Sequence, residues 1–345
     1  MDRKNIFSFF AFFAFVFFFT QHLFASSIAD QSKTGVCARS IALGKAFVGL
    51  ADNSSSVFLN PAGLAGVNKI EVGSLRANLV DEINYTVLTI IYPYEDNNFG
   101  FGWANSSVPS IPVTSWTYIS GVARPQIDGY TDYNSNVFVV SYGASLKKFI
   151  PLSEKANNIS FGTNIKYYSQ NFSETTTSLE GASGSGADLD LGLKFKAFRW
   201  MDIGVVFSNI LPENTGGAFV WKKNSVTENI PASIKIGSAV RIFGENALSK
   251  SSSSELVYLL DLEKEIDSNF SGLLFHSGIE WKATNNLYLR FGIDQQKTAQ
   301  TSGVVLQNNL TYGIGIDIHQ FQFDYAYYSG NSENKTHFFS LKFEI

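Results

Sequence analysis

Leu287, Leu289, Phe291 and Ile293 fall on one side of a two-residue period, and Tyr288, Arg290, Gly292 and Asp294 fall on the other. Successive side chains of an extended strand point to opposite faces, so this spacing requires a strand with one apolar face. The pattern recurs. Tyr312, Ile314, Ile316 and Ile318 oppose Thr311, Gly313, Gly315 and Asp317, while Leu189, Leu191, Leu193 and Phe195 oppose Asp188, Asp190, Gly192, Lys194 and Lys196. Clusters of Asn, Ser, Gly, Asp and Pro separate such segments from Lys69 onward, which is turn chemistry.

A β-sandwich also alternates, so periodicity alone leaves two architectures open. Strands of about nine to thirteen residues, the length of the series and aromatic residues near strand ends favour a membrane barrel. Tyr92, Tyr94, Tyr167, Tyr168, Trp200, Trp281, Tyr325, Tyr327 and Tyr328 are the expected girdle. Composition agrees, because 16% charged residues with 31 Phe and 15 Tyr is sparse in charge for a soluble domain. Past the N-terminus no apolar run reaches the roughly 20 residues of a spanning helix. The expected fold class is therefore all-β, a transmembrane antiparallel β-barrel.

The expected strands lie near 69–79, 83–93, 98–106, 135–148, 157–170, 187–197, 200–209, 231–243, 255–265, 271–282, 285–296, 303–318, 319–329 and 335–345, about fourteen in all. The longer connections 107–134, 171–186, 210–230 and 244–254 are expected to face outward from the cell, and the glycine-rich stretch Gly181 to Gly186 reads as a surface loop. The last strand carries Phe339, Leu341, Phe343 and Ile345 on one face and suits closure by pairing first strand to last.

Arg3 and Lys4 precede an apolar core from Ile6 to Thr20, followed by Ala25, Ser26 and Ser27, which is signal-peptide architecture. The expected organisation is a leader over 1–25, cleaved as late as 27, a lumenal plug over 26–66 and a barrel over 67–345.

The segment from Thr34 to Val67 lacks the two-residue period and is rich in Ala and Gly. Its string ARSIALGKAFVGLADNSSSVFLNPAGLAGV resembles the N-terminal signature of the PorV/PorQ-like outer-membrane proteins, a branch of the superfamily of FadL-type channels for hydrophobic compounds. Arg39, Gly44, Phe47, Asp52, Asn60, Pro61 and Gly63 occupy that pattern. FSNI at 207–210, PASIKIG at 231–237, LLDLEK at 259–264, HSGIEW at 276–281 and LYLRFG at 287–292 continue the likeness. The resemblance implies a fourteen-stranded barrel with a short, partly helical N-terminal plug in the lumen. Lys45 departs from it by placing a charge where a small residue is usual.

Asp188, Asp190, Asp261, Glu280, Arg290 and Asp294 are candidate lumen charges, joined on inward positions by Lys194, Lys235, Glu263, Asp317 and Asp324. They fit either a salt-bridged, hydrated lumen or a selectivity site, and Arg39 and Asp52 are natural plug partners for them. His276, His319 and His337 show no metal-ligand spacing and nothing resembles a nucleophile elbow, so no catalytic centre, metal or cofactor is expected. Net charge is −4 with no basic block, which argues against nucleic acid.

Two function classes follow from the resemblance. One is passive passage of a hydrophobic ligand, such as a fatty acid, hydrocarbon or detergent-like molecule, across the bacterial outer membrane. The other is a scaffold that holds secretion-system proteins, while a purely structural role is a third. Outer-membrane lipid and the barrel-assembly machinery are the expected partners in each case.

Overall fold

The computed structural model describes residues 30–345 apart from 81, 150–157, 174–178, 180, 267–271, 301–302 and 331–334. The leader and residues 26–29 of the expected plug lie outside the described residues.

Fourteen antiparallel strands form the closed wall. They are Glu71–Leu79 (β1), Ile83–Tyr94 (β2), Asn97–Ile119 (β3), Val122–Ser145 (β4), Ile159–Phe172 (β5), Ser183–Phe198 (β6) and Met201–Ser208 (β7). Ser233–Gly244 (β8), Glu255–Glu265 (β9), Leu274–Lys282 (β10), Leu287–Gln300 (β11), Gly303–Ile318 (β12), Phe321–Tyr328 (β13) and Thr336–Glu344 (β14) complete it. Closure comes from β1 pairing with β14, from Glu71↔Glu344 to Ala77↔Phe338. Each expected strand has its counterpart, and the barrel is the alternative realised.

The wall is apolar outside and polar within. Leu88, Phe101, Val140, Ile165, Phe291, Ile314, Phe323 and Phe339 are exposed on the outer face, whereas their neighbours Thr89, Gly102, Ser141, Asn164, Arg290 and Asp324 are turned inward. In water such a surface would be unfavourable by about 25 cal/mol per Å². A bilayer removes that cost, and the barrel closure leaves no unpaired strand edge in the hydrocarbon.

Alternating strands send successive connections to opposite ends. The short links 95–96, 199–200, 283–286 and 319–320 share one end with the last residue, here the short-turn end. Connection 244–254 follows an even-numbered strand and lies at this same end, opposite to 171–186 and 210–230. The connections expected to share the outward end therefore do not all lie at one end.

The expected connection 107–134 is no loop. β3 and β4 run on past their neighbours and pair with each other to Ile119↔Val122. β2 leaves β3 at Asn84↔Ser107, and β5 leaves β4 at Tyr133↔Phe172. The twelve residues Val108–Ile119 therefore form one side of a two-stranded arm reaching roughly 40 Å at ~3.3 Å per residue. Its end is the arm end of the barrel. β7 stops early there, and Ala218–Trp221 pairs with the outer part of β6 in its place, at Gly184↔Trp221 and Gly186↔Phe219. Gly184 and Gly186 hence belong to a strand, not to the surface loop expected from their composition; a side chain at Gly184 would strike the Phe219 ring.

Two of the expected girdle residues face the other way. Tyr168 is buried in the lumen, and Tyr328 donates its hydroxyl to Asp294. Adjacent residues of one strand cannot both face lipid, so Tyr167 and Tyr327 take the outer positions.

Candidate functional site in the lumen

The chain enters the lumen from the arm end at Asp30 and descends to Val67 at the short-turn end, just before β1. Short helical pieces carry it: 3-10 turns at Gln31–Thr34 and Pro61–Gly66, and helices Ala38–Ala42 (α1) and Ser56–Leu59 (α2). Side chains cap the exposed backbone donors at three of them. Asp30 accepts from Ser32 N, the Cys37 thiol from Ser40 N, and Asn60 from Ala62 N. Such brief helices do not persist alone in water, so the wall must hold them.

Small residues let the wall do so. Gly162, Gly192, Gly204, Gly278, Gly292 and Gly313 present bare backbone to the plug at successive strands, and a Cβ at any of them would overlap it. Gly162 lies against Pro61, Gly278 against Leu43 and Gly292 against Gly44. Gly44 itself has φ +63 and abuts the Ile293 backbone, where only glycine fits both demands. Leu43, Ala46 and Phe47 are fully buried at this level.

Polar contacts fix the depth. Asp261 of β9 accepts from the backbone N–H groups of Phe47 and Val48 at 2.8 and 2.9 Å. Thr311 accepts from Gly44 N at 3.1 Å and donates to Ala42 O at 3.0 Å. Lys194 donates to the carbonyls of Leu50 and Ala51, and Glu71 accepts from Ser54 N. Asn60, buried, donates to Val48 O at 2.9 Å, and Gly63 packs on Ala51.

Among the described residues three ionic clusters tie plug to wall. In the first, Arg39 bridges Asp52, 2.8 Å away, and Glu280 of β10, 2.7 Å away; Glu280 also meets Arg290, whose other partner is Asp324 at 2.6 Å. Arg39 further stacks over the Phe47 ring at 5.4 Å. Asp52 is the more exposed of the two carboxylates that Arg39 bridges. In the second, Lys45 lies 3.1 Å from Asp294, which is 2.7 Å from His276; His276 leads on to Glu263 and Lys235. The unusual charge at Lys45 thus has a buried counter-ion.

The third joins Asp30 of the plug to β5 and β6. Asp190 joins Lys166 at 2.9 Å, and Lys166 faces Asp30 at 3.8 Å. Burial favours the neutral Asp30 carboxyl, but the Lys166 ammonium and the Ser32 hydrogen bonds outweigh it and hold its pKa below the usual value. Asp188 accepts from Leu189 N and Leu211 N and secures the chain at the end of β7. Asp30, Lys166 and His276 were not among the candidates. The inward parity of Lys166 with Asn164 and Tyr168 was readable, and so was the hairpin register that sets His276 opposite Asp294.

Above the plug, at the arm end, lies a cavity of about 380 Å³. Asp30, Lys33 and Lys45 form its floor, and Gln296, Asn309 and Tyr328 one wall. Leu79, Val80 and Phe338 form the other, where the β1–β14 ladder has ended at Ala77↔Phe338.

No protein-family model matches the sequence, and no curated protein matches it. Solved structures do. CymD, a monoaromatic hydrocarbon channel, superposes with a TM-score of 0.59 over 92% of this chain and 99% of its own, at 11% identity. The fold is that of these channels. The toluene transporter TbuX of Ralstonia pickettii gives a TM-score of 0.55 over 90% of this chain and 98% of its own, at 12% identity. The toluene transporter TodX of Pseudomonas putida gives 0.54 over 91% and 97%, at 12% identity. The fold agrees with the barrel that the N-terminal resemblance implies.

Proposed function

We propose that this chain is a passive channel of the bacterial outer membrane that admits small, largely apolar molecules through its plugged lumen. The observation that carries this reading is the pairing of a closed barrel with a plug held by side chains, above which a ligand-sized cavity opens toward the arm end. Cavities of a few hundred Å³ suit small ligands. The likeness to toluene and monoaromatic hydrocarbon channels supports the same class of cargo. On this reading the leader over 1–25 exports the chain, the barrel-assembly machinery inserts it, and outer-membrane lipid covers its apolar belt. The short-turn end then faces the periplasm and the arm end the exterior. The reading needs no catalytic residue.

Expressed in a bacterial host stripped of its own hydrophobic-compound channels, the intact protein should raise the initial rate of toluene or fatty-acid uptake several-fold over the empty strain. Equal rates for every such probe would overturn the proposal.

One observation favours a second reading, the PorV-like scaffold for secreted proteins. The arm displays Trp116, Tyr118 and Ile127, each more than half exposed, on a ribbon that runs past the neighbouring strands. Affinity capture of exported proteins that fails on deletion of the arm, with uptake unaffected, would select this reading.

A further inference from the structure

The cavity above the plug has two unlike sides. On one, Thr298 donates to Gln307 at 3.3 Å and Gln307 donates to Asn309 at 2.8 Å. Beside them Gln296 and Tyr328 donate to the buried Asp294 at 3.0 and 2.7 Å. This is a continuous strip of carboxamide and hydroxyl groups across β11, β12 and β13. On the other side Leu79, Val80 and Phe338 present hydrocarbon, with Thr336 the polar exception.

Charge at the cavity is already matched. Lys33 lies 3.4 Å from Glu263 and 3.6 Å from Glu265, Lys45 lies 3.1 Å from Asp294, and Asp30 faces Lys166. A ligand ion would give up its hydration and meet no uncompensated opposite charge. A pure hydrocarbon would strip water from the amide strip and return no hydrogen bond. A molecule with one neutral polar head on an apolar body meets both sides on their own terms.

We infer that this cavity selects neutral oxygenated molecules, such as aromatic alcohols, ketones or amides, with the polar head on the Gln296–Asn309 side and the body against Leu79 and Phe338. The inference rests on the channel reading above and narrows its cargo. A site built to hydrogen-bond a ligand discriminates strongly against the analogue lacking that group.

Four ligands of one size separate the cases: toluene, benzyl alcohol, benzoate and benzylammonium. Their binding to the purified full chain is measured by equilibrium dialysis in detergent, with partition into empty micelles subtracted. Benzyl alcohol should bind about tenfold more tightly than each of the other three, the factor expected of one good hydrogen bond. In Asn309→Leu, checked for folding by the gel shift between unheated and heated samples, its advantage over toluene should shrink to about twofold or less. Toluene binding as well as benzyl alcohol, either ion binding best, no ligand exceeding empty micelles, or an unchanged preference in the variant would each overturn the inference. Failure of uptake in cells despite selective binding would count against the channel reading alone, and toluene uptake without selectivity against this inference alone.

Discussion

Arg39 of the plug and Glu280 of the wall meet through two parallel hydrogen bonds, Nε to Oε2 and Nη2 to Oε1, each 2.7 Å. The contact joins residues 241 positions apart and sets one flank of the plug against β10. Fork-to-fork pairing of this kind fixes orientation as well as distance.

Replacing Arg39 by Met should loosen the plug by about 3 kcal/mol, because Glu280 and Asp324 would then share Arg290 alone in a buried setting. The double change Arg39→Met with Glu280→Met should recover part of the loss. Hydrogen exchange of peptides covering 44–50 reads it, since the Phe47 and Val48 amides are held only while the plug is seated.

Asp261 offers a separate handle on the same segment. Asp261→Ala leaves two buried N–H groups without their acceptor and should cost about 3 kcal/mol of plug stability, whereas Asp261→Asn keeps an acceptor and should cost less. Exchange at those two amides, compared between the variants, checks the order.

A glycine of the inner wall can be used as a wedge. Val at Gly162 would overlap Pro61, so Gly162→Val should displace the plug while leaving the wall intact, and ion conductance in planar bilayers should rise. Ile165→Val, on the lipid face of the same strand, should leave conductance unchanged.

Among the described residues the arm pairs only with itself over most of its length. Removing 110–130 and joining the strands by a short turn should alter barrel stability by less than about 1 kcal/mol, as expected of a change away from the core. Thermal unfolding followed by circular dichroism tests this.

The wall was legible because lipid outside and a polar lumen inside impose the same alternation on every strand. Connection 107–134 departs from the loop expected for a physical reason. Both faces of the arm meet solvent, so no alternation is required, and Pro109, Pro112 and Pro125 resemble loop punctuation although a free ribbon edge accommodates them. The stretch around Gly184 and Gly186 departs similarly, its glycines serving a close approach by Phe219 and not a flexible loop. The inward charges could be read by parity, but their partners could not. Lys45 finds Asp294, and Arg39 finds Glu280, only at the depth that the glycines and Asp261 allow, and no local sequence pattern encodes depth.

On the channel reading molecules pass through the lumen, and because the seated plug fills it below the cavity, passage requires the plug to shift. Ala38 N donates to the Ser340 hydroxyl at 3.2 Å across the plug–wall boundary, so cysteines at both, in a Cys37→Ser background, should form a disulfide after a small adjustment. Toluene uptake by cells carrying the cross-linked protein is the direct measurement. Uptake should fall to the empty-strain rate and return on reduction, with each single-cysteine variant fully active; undiminished uptake through the cross-linked protein would contradict the account.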